Sequence, residues 1–390
     1  MEEEVNIDQM IEKLTKNKIE QFKIEINNYQ NELVEQINEK FKKFDESFNK
    51  NIEEYTQKIK NKIIINNDVK KEINIDEIRI PPLICLKKLD NTNYLINLIL
   101  QYFSNIKSIV SYFFNPKKQI KIFQNLNGDP TGNYLCPAFL KLFENLWKGT
   151  NKIYQPKEIH DILKRKQRIY YISSNPGKIL NDIIMELHQE LISDKDKYLL
   201  EKPDGNFNEK KAKDQFDTYS QVYKSIISVQ FFSTIKKIIK IPGKPNFYLF
   251  DTTPIIEIFL DNGKSHALTL EHDFKKLFKN YNEQIDQALI QAMPYQLIIN
   301  INRGNNNKSF LYPRILECKY LLEKNNPGKY DLCCVIMKNN NNHYAYLKNC
   351  INSKWYLYID EVIQLVNEEN QIINEKKALH LIYQYIKEEF

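Results

Sequence analysis

The chain has no proline before Pro81 and no glycine before Gly128, so nothing in its first segment interrupts a helix. Apolar side chains recur there at steps of three or four residues, which places them on one helix face. The positions of this stripe are Phe22, Ile26, Tyr29, Leu33, Ile37, Phe41, Phe44, Phe48, Ile52, Tyr55, Ile59 and Ile63. The pattern predicts a long helix or coiled-coil segment over residues 1–63.

A single helix from Asp8 to Asn61 would be roughly 80 Å long at about 1.5 Å per residue. Such a helix cannot bury its stripe alone, so it needs a surface to pack against. We expect residues 1–63 to bind other protein chains. Packing against the chain's own domain is the alternative, and a break near Asn27-Asn28 would give a helical hairpin instead.

The pattern changes after a linker, residues 64–82, which closes with Pro81-Pro82. Helical segments come first in residues 83–390, and strand-like runs follow them. The predicted helices are Tyr94–Phe114, Leu135–Trp147, Pro156–Arg165 and Pro176–Ile192, and the polar stretch Asp194–Gln215 is predicted to be an exposed loop. The predicted strands are Ile226–Phe232, Asn246–Asp251, Tyr295–Asn302, Tyr330–Met337, His343–Lys348 and Lys354–Ile359. This order indicates an α+β fold.

Composition excludes several classes of protein. The net charge of +6 is not concentrated in a polybasic run, so no specific nucleic-acid partner is expected. No apolar stretch reaches the length of a membrane span, and the acidic start, Met1–Glu4, is unlike a mitochondrial presequence. The six cysteines form no Cys-x-x-Cys pair and no secretory segment is visible. We therefore expect an intracellular protein that is not secreted. It would be located in the cytoplasm, or on the cytoskeleton or cilium.

Several short motifs follow one another in a recognisable order. The series opens with Cys-Leu-Lys-Lys-Leu-Asp-Asn-Thr-Asn-Tyr at residues 85–94, followed by Leu100-Gln101. The later motifs are Leu140–Gly149, Ile179–Leu191, Met293-Pro294 with Ile301-Asn302-Arg303, Tyr312-Pro313, Asn342-His343-Tyr344-Ala345-Tyr346, Trp355-Tyr356-Leu357-Tyr358 and Leu381-Ile382-Tyr383. Together they resemble the ubiquitin-specific protease family over about residues 83–383. The resemblance implies a papain-like fold of thumb, fingers and palm.

The same resemblance implies that the catalytic residues have been lost. Thiol proteolysis needs a cysteine nucleophile, a histidine, a group that orients the histidine, and an oxyanion donor. Asn93 stands at the cysteine position, and a carboxamide is not a nucleophile. Lys88 stands at the oxyanion position, and Ile359 stands at the orienting position with Asp360 beside it. His343 alone matches in type and place, so we expect a pseudoenzyme.

No other cysteine is expected to replace the nucleophile. Cys85 lies eight positions before Asn93, and Cys333-Cys334 belongs to a predicted core strand. Cys136 starts a predicted helix, and a helix N-terminus can lower the pKa of a thiol. The region expected to form the fingers, from Gln230 onward through Lys244, contains no cysteine. We therefore expect no zinc site and no cofactor, and a finger hairpin held by packing.

Function follows from these expectations as three hypotheses. The favoured one is a structural or scaffolding subunit of a larger assembly, acting through its long helix and its domain surfaces. The first alternative is a reader that binds ubiquitin without cleaving it. The head of the family's groove-lining helix is replaced here by Ser174-Asn175-Pro176-Gly177-Lys178, which argues for a changed groove. The second alternative is an active deubiquitinase with an unexpected nucleophile.

Overall fold

A computed structural model describes most of the chain from Ile80 onward, with gaps. The described residues are 80–89, 94–126, 134–151, 153–166, 176–192, 201–259, 268–269, 287–302, 310–317, 328–339, 342–359, 361–368, 372 and 378–386, together with Lys18 and Glu39. The chain divides into two units, Met1–Ile78 and Arg79–Phe390, and the second holds all the elements that follow. The predicted long helix, its alternative break at Asn27-Asn28 and the linker as far as Arg79 lie outside the described residues, apart from Lys18 and Glu39.

Helices dominate the first half of the described domain. They are α1 (Tyr94–Ser104), α2 (Lys107–Phe114), α3 (Pro116–Asn125), α4 (Leu135–Trp147), α5 (Lys157–Arg165), α6 (Pro176–Leu191), α7 (Glu209–Val222) and α8 (Ile226–Phe231). The predictions for α4, α5 and α6 are confirmed to within a residue. The predicted helix 94–114 is two helices, because the chain leaves helical geometry at Asn105-Ile106. None of the described helices is both long and apolar enough to cross a membrane.

Helix α1 is buried along its whole length, including its polar side chains. Asn97 donates from Nδ2 to the carbonyl oxygens of Leu86 and Lys87, at 3.2 Å each. Gln101 donates from Nε2 to the carbonyl oxygen of Ile84 at 2.5 Å. Buried amides of this kind need such partners, because an unpaired polar group costs free energy in the interior. These bonds attach residues 80–89, the entry segment of the domain, to α1.

The described strands form a large sheet of eight strands, a small sheet of three strands and two separate two-stranded sheets. They are β1 (Cys85–Leu86), β2 (Ile153–Tyr154), β3 (Ser233–Ile239), β4 (Phe247–Thr253), β5 (Ile255–Phe259), β6 (Leu268–Thr269), β7 (Gln287–Ala292), β8 (Gln296–Asn302), β9 (Phe310–Leu311), β10 (Ile315–Glu317), β11 (Lys329–Asn339), β12 (Asn342–Lys348), β13 (Trp355–Ile359), β14 (Val362–Leu365) and β15 (Ala378–Tyr385). The large sheet has the order β14-β13-β12-β11-β15-β8-β5, with β10 paired to β11. The predicted strands that correspond to β4, β8, β11, β12 and β13 are confirmed.

The two faces of the large sheet carry different apolar layers, because successive strand residues point to opposite sides. Ile298, Ile336 and Ile382 face the helices and join one core with α1, α4 and α6. Ile299, Val335 and Leu381, each the neighbour of one of these, belong to a second core on the other face. The sheet is therefore covered on both sides, which agrees with the predicted α+β class.

Two predictions between residues 194 and 232 are wrong. Ile226–Phe232 is predicted to be a strand, but its first six residues form α8. Ser225 is the N-cap of that helix and forms a capping box with Ser228. The Ser225 hydroxyl accepts from the backbone N–H of Ser228, and the Ser228 hydroxyl accepts from the backbone N–H of Ser225. The predicted loop 194–215 contains the start of α7, which Asn208 caps through a bond from the Lys211 backbone.

The small sheet has the order β4-β3-β7 and is held by more than packing. Ala212 and Phe216 of α7 pack against Phe250 of β4, as expected for a hairpin without a metal. Ion pairs add to this contact. Lys236 pairs with Glu209 at 2.5 Å, and Asp251 pairs with Lys202 at 2.7 Å and with Lys237 at 3.1 Å. Both apolar packing and ion pairs therefore stabilise this sheet, whereas the sequence predicted packing alone.

A carboxylate from a distant helix caps α4. No side chain at Tyr134 caps the helix, and Glu190 of α6 accepts from the backbone N–H groups of Leu135 at 2.8 Å and Cys136 at 2.7 Å. Lys166 at the end of α5 lies 3.4 Å from the same carboxylate. Three helices therefore meet at one buried negative charge, which also complements the dipole of α4.

We expect Glu190→Ala to lower the free energy of unfolding by about 3 kcal/mol, because it leaves two buried N–H groups without an acceptor, whereas Lys166 keeps its ion pair with Glu186. Urea unfolding followed by circular dichroism measures the change. Glu158→Ala is the matched control, since the Lys141–Glu158 pair is exposed and its loss should cost about 0.5 kcal/mol or less. Equal losses for the two variants would contradict the capping role.

Candidate functional site

His343 lies near the start of β12, directly opposite Lys338 of β11. The register pairs Ala345 with Ile336, and Ile336 in turn with His380 of β15. Paired residues point to the same side of a sheet, and so do residues two apart on one strand. His343 and His380 therefore share the helix-facing side, on strands that flank β11.

The His343 imidazole is neutral at physiological pH. Only 9% of the residue is exposed, and its Nε2 atom is buried with no hydrogen-bond partner among the described residues. Burial lowers its pKa to about 4, and the nearby Lys338 charge acts in the same direction. A histidine with this pKa is a weak proton acceptor at neutral pH, which is unfavourable for a general base.

His380 is a second buried imidazole that sequence reasoning missed. It is fully buried, and neither of its ring nitrogens has a partner among the described residues. Burial lowers its pKa to about 3, with His343 contributing. The available signal was a histidine within the apolar run Ala378–Tyr385, where a polar residue is unexpected.

Helix α6 begins directly against this histidine. A Cβ atom on Gly177 would lie 2.8 Å from Cε1 of His380 and 3.1 Å from Cγ of Asn300, so glycine permits the close approach. Asn300 pairs with His380 across β8 and β15 and donates from Nδ2 to Glu257 at 3.4 Å. The first described turn of the predicted groove helix is thus packed tightly against the sheet at Gly177.

The structure describes only some of the other positions that the resemblance aligns with catalytic residues. Asn93 and Asp360 lie outside the described residues. Ile359 lies on β13 opposite Tyr344, is 36% exposed, and has no polar side-chain atom with which to orient His343. The backbone N–H of Lys88 donates to Glu361 at 2.8 Å. Sequence reasoning did not single out Glu361, which attaches the β13–β14 turn to the segment bearing Lys88.

None of the described cysteines is hydrogen-bonded to Nε2 of His343, and all of them are free thiols. Cys136 starts α4, yet its pKa is raised well above the usual value by burial and by the Glu190 carboxylate. The helix N-terminus therefore does not activate this thiol. Burial also raises the pKa of Cys85, with Glu361 contributing, and it raises those of Cys333 and Cys334. Cys318 lies outside the described residues.

A metal centre finds no support in the described part of the chain. No group of three or more histidine, cysteine, aspartate or glutamate side chains is arranged there to hold an ion. The predictions of no zinc site and no cofactor remain predictions.

Comparison with known proteins agrees with the architecture. The model of the family described as ubiquitin carboxyl-terminal hydrolase matches residues 84–383, close to the predicted range of 83–383. No curated protein matches the chain.

Among solved structures, the Ubp8-Sgf11-Sgf73-Sus1 SAGA DUB module is similar with a TM-score of 0.56 and 16% identity, over 82% of this chain and 72% of that chain. A module with a Ubp8 variant bound to monoubiquitin gives a TM-score of 0.58 and 15% identity, over 81% and 73%. At this identity the likeness establishes the fold alone, which confirms the papain-like architecture of thumb, fingers and palm.

The buried histidines predict acid sensitivity. His380 has a pKa of about 3 when folded and an ordinary value near 6.5 when unfolded, so the unfolded chain binds more protons between these values. Stability must then fall as pH falls from 6.5 towards 3. His380→Leu should recover about 2 kcal/mol of the loss between pH 6.5 and pH 5.

Thermal or urea unfolding at several pH values measures this slope. Lys354→Gln, an exposed substitution, should keep the wild-type slope. The same slope for His380→Leu and the wild type would show that His380 does not titrate on unfolding.

Proposed function

Because the chain belongs to the ubiquitin carboxyl-terminal hydrolase family, we propose that it is a catalytically inactive member that serves as a structural subunit of a larger assembly. Two points support the first part of the proposal. By the resemblance of residues 85–94 to the family's opening motif, Asn93 stands at the position of the nucleophile, and no described thiol is hydrogen-bonded to His343 Nε2.

The chemistry explains why this combination blocks turnover. An amide nitrogen cannot form the acyl intermediate that divides isopeptide cleavage into two easier steps. The environment of His343 adds to the block, because an imidazole with a pKa of about 4 takes up a proton poorly at pH 7. Ile359 supplies no acceptor to hold its ring, and the Glu361 carboxylate beside Lys88 places a negative charge near the oxyanion position.

The second part of the proposal rests on residues 1–63. Their apolar stripe requires a partner surface, and a family domain with broad faces suits a docking subunit. The assembly is proposed to be intracellular, in the cytoplasm or attached to the cytoskeleton or cilium. The similar solved structures named above are complexes with other subunits. We propose that this chain also assembles with other subunits.

We expect the purified chain to form no covalent adduct with a ubiquitin vinyl sulfone probe, since the pKa of every described thiol is raised, which leaves those thiols protonated and unreactive. Gel mobility and intact-mass spectrometry measure the adduct, with an active deubiquitinase as positive control. An adduct that disappears in one Cys→Ser variant would identify an unexpected nucleophile. That result would establish the active-hydrolase alternative.

We expect the full chain to co-purify from its native cell with defined protein partners, and the variant lacking residues 1–63 to lose most of them. Quantitative mass spectrometry compares the two pull-downs. The comparison is valid only if the circular dichroism spectrum of the shortened chain shows that its domain is folded. Unchanged partners would place the docking surface on the domain instead.

Binding of ubiquitin without cleavage is the second candidate, because one neighbour of the same fold holds monoubiquitin. Titration with free ubiquitin, followed by calorimetry, separates the two hypotheses. Saturation at micromolar concentration would support a reader, and no heat of binding would leave the structural role.

A further inference from the structure

A cavity of about 820 Å³ lies where the helices, the small sheet and the base of the large sheet meet. Its lining comes from α6, α7 and α8 on one side and from β3, β4 and β7 on another. We call it the junction cavity. Its volume is within the range of pockets that hold small organic molecules.

Aromatic side chains form much of its wall. Tyr295, Tyr330 and Tyr385 meet edge to face at the base of the large sheet, with ring centroids 6.1 Å and 5.4 Å from that of Tyr385. Tyr219 of α7 and Tyr223, the residue directly after that helix, also line the cavity, with ring centroids 4.4 Å apart. These rings offer surfaces against which a flat apolar body packs well.

The charged residues of the wall are all of one sign. Lys202 and Lys224 line the junction cavity, and no aspartate or glutamate does so among the described residues. Lys202 shares Asp251 with Lys237, so two ammonium groups face one carboxylate. Lys224 is exposed and makes no ion pair with a described residue. The local charge therefore favours an anion.

One buried donor points to the polar end of a ligand. His188 is 8% exposed, and its Nδ1 atom lies 2.8 Å from the hydroxyl oxygen of Ser225. That oxygen also accepts from the Ser228 backbone, and the Ser225 hydroxyl has its own hydrogen to donate to Nδ1. When it donates that hydrogen, the ring hydrogen of His188 is on Nε2, which bonds to no other described residue while the ring lines the cavity.

The charge state of His188 does not alter this conclusion. Burial lowers its pKa to about 4, so the ring is neutral at physiological pH and keeps a single N–H donor. A neutral donor inside, together with the ammonium groups of Lys224 and of the Asp251-bound Lys202 at the wall, complements a ligand with one acceptor-rich anionic group.

We propose that the junction cavity binds a small organic anion, a flat aromatic body bearing one carboxylate, sulfonate or phosphate. The site is independent of the groove that contains His343, and the proposal does not depend on whether the chain is catalytically active. Tyrosine rings hold the aromatic body, while Lys224, Lys202 and the Nε2–H group of His188 hold the anionic end.

Two fluorescent probes of nearly the same shape test the proposal on the full chain. Anilinonaphthalene sulfonate carries an anion, and phenylnaphthylamine is its neutral counterpart. We expect saturable binding of the sulfonate to one site and at least roughly tenfold weaker binding of the neutral probe. Equal affinity for both probes would overturn the proposed charge recognition.

Two variants locate the binding. Lys224→Glu should weaken sulfonate binding by about fivefold and leave the neutral probe unchanged. Lys244→Glu, the same charge reversal on the exposed turn between β3 and β4, is the matched control and should change neither probe. Equal effects of the two reversals would show that the sulfonate responds only to net charge.

Ser220→Trp fills the junction cavity from α7 and should abolish binding of the sulfonate. A thermal unfolding curve confirms that this variant is folded. Full binding by the folded variant would place the probe elsewhere and end the proposal.

Discussion

The burial of α1 on every side is the constraint on which the domain depends. On a helix with no solvent-facing side, polar groups need partners within the protein, and the side-chain NH2 groups of Asn97 and Gln101 find theirs in the backbone of the entry segment. The Oε1 atom of Gln101 is buried with no partner among the described residues. Asn97 also meets Nε2 of His160 on α5 at 3.0 Å, and the Tyr102 hydroxyl reaches Gln296 on β8 at 3.2 Å. One helix therefore connects the entry segment, the other helices and the large sheet.

The residues around His343 and His380 make close packing contacts and hydrogen bonds. Gly177 admits α6 against His380, Asn300 bonds to Glu257, and Glu361 bonds to the backbone of Lys88. Neutral buried imidazoles fit such surroundings, because an isolated positive charge there would lack a counter-ion.

Much of the fold could be predicted, and the failures have physical causes. Long segments with helical periodicity, such as α4 and α6, were predicted nearly to the residue. Ile226–Phe232 was not, because a short apolar run has the same composition in a buried helix and in a strand, and only the Ser225 capping box distinguishes them. Helix α7 was missed because only Ala212 and Phe216 of its fourteen residues are buried, which leaves little apolar pattern to detect.

The candidate site could be predicted only where local motifs define it. Motif order located His343, whereas His380 and Glu361 act through contacts distant in sequence, and the effect of Glu190 on Cys136 could not be inferred from Cys136 alone.

The entry segment has a mechanical consequence. Asn349, which organises the turn between β12 and β13 by accepting from the backbone of Ile351 and Asn352, also donates to the carbonyl oxygen of Pro81 at 3.0 Å. A pulling force applied at Ile80 would thus reach the large sheet and α1 together, through bonds that span up to 273 positions of the chain. Bonds loaded side by side must break together, whereas a peeled end breaks them one after another. Tension at Ile80 would therefore be shared between the sheet and the helix.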